Sequence, residues 1–213
     1  MWCKSLLLNV VSNSGLDVKD LIDSVFRTLD IFEYHKEEAY SIIQKIEPAD
    51  GEQALRLVLS SNDELYFDQL SLQAHIQAAI HNARSVYDLL AQLINRLLLA
   101  DPLKIHDCDI NKLIDRLGDS PVKDAIITAI NTESYAYINS FVNVIKHRNL
   151  VVLNPEVNFE ELKAGIRFSS FKYKAKNYPS LWAVDALQES LNVKNQIVTI
   201  GEILNNHLCL HRV

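Results

Sequence analysis

The chain has 213 residues, 48% of them hydrophobic, with five glycines, five prolines and a net charge of −6. That length supports one sizeable core, and the scarcity of Gly and Pro excludes long disordered linkers. The negative balance excludes a generic nucleic-acid coat and a membrane-surface protein.

Taken from the N-terminus, MWCKSLLLNVVSNSG carries a short apolar run that a polar Ser-Asn-Ser closes, without the small-residue pattern of a cleaved leader. From Asp17 to about Gln44, Leu21, Val25, Leu29 and Phe32 recur at helical spacing. Glu47-Pro48-Ala49-Asp50-Gly51 breaks that pattern, and a second helix is predicted over Glu52 to about Leu59. The longest helix is predicted from about Glu64 to Leu99, with Ile76, Ile80, Ala83, Tyr87, Leu90, Ile94 and Leu97 as its apolar stripe. Asp101-Pro102 stops it, because the residue before proline is pushed out of the helical region. Short helices follow from Asp109 and Pro121, with Asp107 or Asp109 capping the first. A further helix is predicted from about Thr132 to His147, capped by Thr132.

After Arg148 the texture changes. LVVL at 150–153 and IRFSSFKYK at 166–174 are β-branched and aromatic, and Asn154-Pro155 and Gly165 punctuate them. The pattern predicts a two-stranded arm with a longer connection. Helical periodicity returns from Ser180 to about Leu210, through Trp182, Leu187, Leu191, Ile197, Ile200 and Leu204, with Asn192 and Gly201 as candidate bends. The expectation is a mainly α fold: one domain over residues 1–213, a helical bundle with core at about 17–148 and 180–210 and a small β-hairpin arm near 150–174.

Two helices are unusually poor in charge. Residues 65–100 hold four charged side chains, Asp68, Arg84, Asp88 and Arg96, and residues 125–145 hold only Glu133. A solvent-facing helix carries Lys and Glu on its outer face, so these two are expected centrally or at a subunit interface. Both nevertheless carry polar stripes: His81, Arg84, Asp88, Gln92 and Asn95 in one; Asn139, Asn143 and Lys146 or His147 in the other. Buried polar groups cost on the order of 1–3 kcal/mol each unless partnered. Two readings follow. The stripes form a satisfied network that fixes helix register, or they build a site in which Asp88 or His147 moves a proton and Arg148 or Arg84 holds an anion. The run Lys146-His147-Arg148 has its own structural explanation, since cations at a helix C-terminus complement the macrodipole.

The order of these features resembles the HEPN-like group of helical proteins. The residues that carry it are His81-Asn82-Ala83-Arg84 with Asp88, then Asn139, Asn143 and Lys146-His147-Arg148, then Phe168, Phe171 and Tyr173, over roughly residues 65–210. The resemblance implies an α-helical bundle, often dimeric. It also implies a metal-independent ribonuclease of a defence or toxin–antitoxin system, or an inactive partner protein. In that reading His147 is the general acid/base, Arg148 and Lys146 hold phosphate, Asn139 and Asn143 orient them, and Arg84, Asp88 and His81 support them. The active members carry Arg and, after four to six intervening residues, His; here no histidine has an arginine five to seven positions before it, and Arg148 directly follows His147.

Other chemistries are less supported. His106-Asp107, with His81 upstream and Asp115 or Asp124 downstream, has the ligand types of HD phosphohydrolases, but a capping loop explains it. Cys3, Cys108 and Cys209 are far apart, so neither a disulfide framework nor a zinc site is expected, and a cytoplasmic setting fits. No P-loop, dinucleotide fingerprint or Gly-x-Ser-x-Gly elbow is present. No metal or cofactor is expected.

Residues 144–178 are locally basic. Lys146, Arg148, Lys163, Arg167, Lys172, Lys174 and Lys176 oppose Glu156, Glu160 and Glu161, so the remaining chain carries about −10 of the net −6. Strand alternation places Phe171 and Tyr173 on one face and the lysines on the other. This is a half-buried strand with a solvated face, or a phosphate-binding arm beside Lys146-His147-Arg148. The expected partners are a second copy of the chain, RNA or a nucleotide, or another protein, with no membrane. The alternative function is a non-enzymatic dimeric interaction module with a structural polar network.

Overall fold

The computed structural model describes residues 2–12, 17–59 and 63–210. It is mainly α-helical, with eight helices and five short strands among the described residues. The helices are α1 (Lys4–Ser12), α2 (Lys19–Ile46), α3 (Gly51–Leu59), α4 (Asp63–Leu98), α5 (Ile110–Arg116), α6 (Pro121–Ile130), α7 (Glu133–His147) and α8 (Ala183–Leu210). The strands are β1 (Leu153–Asn158), β2 (Lys163–Phe168), β3 (Phe171–Tyr173), β4 (Lys176–Tyr178) and β5 (Leu181–Trp182). The chain divides into two compact units, one of residues 1–30, 82–136 and 191–213, the other of residues 31–81 and 137–190.

In the first unit the core is aliphatic. Ile22 and Val25 of α2, Leu90 and Ile94 of α4, Ile126 of α6 and Ile197 and Leu204 of α8 are buried. Caps close its helices. The Asp109 carboxylate accepts from the Asn111 and Lys112 amides at the start of α5, and Ser120 accepts from Lys123 ahead of Pro121 at N1 of α6. Thr132 Oγ1 accepts from the Tyr135 amide, as expected for the cap of α7. Between residues 83 and 95, α4 buries Ala83, Val86, Tyr87, Leu90, Ala91, Leu93, Ile94 and Asn95. Side chains on nearly every side of this segment are covered, which explains its lack of Lys and Glu.

The helix α1 was not expected from the sequence. It is anchored by Trp2, whose indole lies 4.8 Å from the Phe26 ring and donates to Asn205 Oδ1. Gly201 is not a bend signal here but a space requirement: α8 runs as one helix, and a Cβ on Gly201 would sit 2.0 Å from Trp2 Cδ2.

In the second unit the strands form two antiparallel sheets, β1-β2-β5 and β3-β4. Leu153 pairs with Phe168, Arg167 with Trp182, and Phe171 with Tyr178. The expected arm is therefore present with different boundaries. Pro155 does not end a strand, because β1 is a sheet edge where a missing N–H can be tolerated. The run 166–174 splits at Ser169-Ser170, and the Ser169 amide donates to the Val152 carbonyl. The core here is aromatic: Phe141 of α7 meets Phe168 at 5.2 Å and Phe171 at 5.7 Å, and Phe171 stacks on Tyr178 at 4.9 Å.

Candidate nucleic-acid interface

The end of α7 is where the basic residues gather. Lys146, His147 and Arg148 are all exposed there. Upstream in α7, Ile138, Phe141 and Val144 are buried and seat the helix. Arg148 turns back on the second sheet: its Nη1 donates to the Lys172 carbonyl at 3.1 Å, and its guanidinium lies 5.4 Å from the Tyr173 ring centroid. The β3-β4 hairpin is thus held against the end of α7, bringing Lys172, Lys174 and Lys176 into the same neighbourhood; all three are exposed.

The hairpin turn is built at a cost. Lys174 has φ 53°, the left-handed region that glycine adopts freely and other residues enter at about 1 kcal/mol or more. Its ammonium lies 5.6 Å from the Tyr173 ring, and that of Lys176 lies 5.1 Å from the Tyr178 ring. Elsewhere in the arm cations are neutralised by carboxylates: Arg167 pairs with Glu156 at 2.7 Å and Glu161 at 3.3 Å, and Lys163 with Asp185 at 3.7 Å. Lys146, Lys172 and Lys174 form no ion pair among the described residues.

The other sequence candidates divide between the units. Asn139, Asn143 and His81 belong to the second unit, with Lys146, His147 and Arg148. The Asn143 amide donates to the Asn139 carbonyl at 2.7 Å, a bond within α7 that leaves that amide uncommitted to His147. His81 is exposed. Arg84 and Asp88 belong to the first unit, where they form an i,i+4 ion pair at 2.8 Å. Burial opposes the Arg84 charge, and Tyr135 and Asp88 outweigh it, so its pKa is raised.

Around that pair the polar groups satisfy one another. Tyr87 Oη donates to Gln196 Oε1 at 3.2 Å, Gln196 Nε2 donates to Thr132 Oγ1 at 3.1 Å, and Asn192 Nδ2 donates to Ser134 Oγ at 3.3 Å. Burial pushes the Tyr87 phenol up, so it stays neutral and remains a donor. Asn95 donates to the Leu103 carbonyl at 3.0 Å and accepts from its amide at 2.8 Å, tying the loop after α4 back to the helix. In this part of the stripe Arg84, Asp88 and Asn95 are each partnered within the first unit.

No family model matches this chain. No curated protein and no solved structure shows significant similarity to it either. His106 is exposed beside Asp107, and no group of three or more His, Cys, Asp or Glu side chains among the described residues is placed to hold a metal. No described helix is long and apolar enough to cross a membrane.

Proposed function

We propose that this chain is an HEPN-like protein that handles RNA or nucleotides by binding phosphates at the end of α7 and the β3-β4 hairpin. The supporting observation is the Arg148 clasp on Lys172 and Tyr173, which joins Lys146, His147 and Arg148 to three exposed lysines. A cationic surface of this kind releases counterions from a polyanion. The acidic remainder of the chain limits contact to this region. Binding, rather than cleavage, is the reading favoured by the Asn143 amide turning into its own helix instead of orienting His147.

The test is fluorescence polarisation with a labelled single-stranded RNA over a salt series. With four to five phosphate contacts the expected log–log slope is about −3. Lys172→Glu is expected to weaken binding by about tenfold and to flatten the slope by about 1–2. Lys174→Gly should separate binding from stability: unfolding becomes harder by about 1 kcal/mol, because the left-handed turn no longer strains a side chain, while RNA binding weakens. Equal affinity in all three proteins would remove the hairpin from the interface. Chelator-resistant RNA cleavage that disappears in His147→Ala would replace binding with ribonuclease chemistry at the same residues.

A dimeric interaction module is the second reading, and a different surface favours it. Leu55, Val58 and Leu59 are exposed on one face of α3. One turn before them, Gly51 and Ala54 line a groove of about 390 Å³ with Phe159 and Leu162 from the β1-β2 turn. Phe159 is 77% and Leu162 91% exposed, and Leu162 holds φ 49°. Together these five side chains expose on the order of 600 Å², near the roughly 800 Å² that each partner buries in a standard interface. The charged flank of α3 is internally neutralised by Arg56 and Glu52 at 2.7 Å, so two copies can meet there despite their net charge. The occupant argued for is a second copy. Light scattering should give a dimer at micromolar concentration that Leu59→Asp converts to monomer; a monomeric wild-type chain at about 100 µM would remove this reading.

A further inference from the structure

A pair of histidines outside both surfaces has a geometry of its own. His35 of α2 and His75 of α4 face each other in the second unit with Nδ1 atoms 3.0 Å apart and ring centroids 5.1 Å apart. Both are half-buried. Tyr34 lies edge-on to both rings, at 5.1 Å from His35 and 6.1 Å from His75. In the metal-free pair one Nδ1–H donates to the other Nδ1, so the two rings hold opposite tautomers.

Two nitrogens at this separation match a chelate. Metal–nitrogen bonds of about 2.0–2.1 Å meeting at about 90–110° set the nitrogens about 2.9–3.4 Å apart. The geometry points to His35 and His75 as a two-nitrogen site for a borderline divalent transition cation of the Zn²⁺ class. Imidazole ligands exclude Mg²⁺ and Ca²⁺, which take oxygen. Occupation needs no net deprotonation of the neutral pair: the donor ring moves its proton from Nδ1 to Nε2, and both Nδ1 lone pairs turn to the metal. Water completes the coordination, since no third protein ligand is in place among the described residues.

His35 lies between opposing influences. Burial and His75 both hold the His35 pKa below its usual value, while Glu38, one turn along α2, opposes them. The Glu38 carboxylate is near enough to offset metal charge. This site is independent of RNA handling, and its failure would leave that reading untouched.

The experiment is Zn²⁺ titration of the full chain by calorimetry at pH 7.5. The expected result is one equivalent bound with micromolar affinity, weakened by at least about tenfold in His35→Gln and in His75→Gln and unchanged in His106→Ala. Imidazole ¹⁵N spectra of the wild-type chain serve if a variant fails to fold. Zinc should move the Nδ1 resonances of His35 and His75 and leave those of the other histidines in place. No binding at about 100 µM Zn²⁺, binding unchanged in both Gln variants, or shifts confined to other histidines would each overturn the site.

Discussion

Replacing Gly201 by alanine is expected to lower stability by about 3 kcal/mol, although alanine is the better helix former. The reason is the Trp2 indole, which lies against the α8 backbone so closely that a new Cβ would fall 2.0–2.5 Å from three ring atoms. No rotation of a methyl group relieves that overlap; the indole must leave. Leaving costs its buried position against Phe26 and its hydrogen bond to Asn205, the sort of loss that Trp→Ala changes register at about 3–5 kcal/mol. It also releases α1, whose Leu7 is fully buried, and the preceding Cys3, whose carbonyl accepts from Asn205 Nδ2. The decisive measurement is a double-mutant cycle by chemical denaturation. Once Trp2→Ala has removed the ring, Gly201→Ala should cost nothing or gain up to about 1 kcal/mol from helix propensity. Additive losses would mean that the glycine is required for something other than the indole.

That contact spans nearly the whole chain, and it marks the boundary of what the sequence can reveal. Periodic signals are local, and they were legible: the stripe from Ile76 to Ile94 is buried as its spacing predicts, and the mainly helical fold with a small antiparallel arm follows from the same texture. Capping chemistry is equally local, and Asp109 and Thr132 cap the helices expected of them. Pairings between distant residues leave no such trace. Nothing in the sequence connects Trp2 to Gly201, or His35 to His75 across 40 residues. Strand ends were misplaced for a related reason, since whether Pro155 breaks a strand depends on whether that strand is an edge. At the candidate interface, residue types were legible but partners were not. Arg148 binds a carbonyl of the hairpin and Asn143 binds its own helix, and spacing alone distinguishes neither from a side chain aimed at a ligand.

The second large effect is expected at Phe141, which joins the candidate interface to the core. Its ring is fully buried and touches Phe168 of β2, Phe171 of β3 and Tyr137 of α7, with centroids 5.2, 5.7 and 6.1 Å away. Phe141→Ala removes the shared partner of both sheets and leaves a cavity between rigid rings, so a loss of about 4 kcal/mol is expected. The adjacent bond from Ser140 Oγ to Tyr178 Oη, at 2.7 Å, survives the change but holds only β4. Amide exchange should therefore accelerate at residues 171–178 more than in the first unit, because the hairpin loses its floor before the chain unfolds. Arg148→Ala is the informative contrast. It removes one exposed hydrogen bond and a ring contact, at no more than about 1 kcal/mol, while deleting a cation from the surface. If the hairpin binds RNA as proposed, Phe141→Ala weakens binding through a loosened platform and Arg148→Ala through lost charge; only the latter reduces the salt slope, by about 1. A reduced slope in both variants would mean that burial of Phe141 sets where the lysines point, and that the platform and the charges are one device.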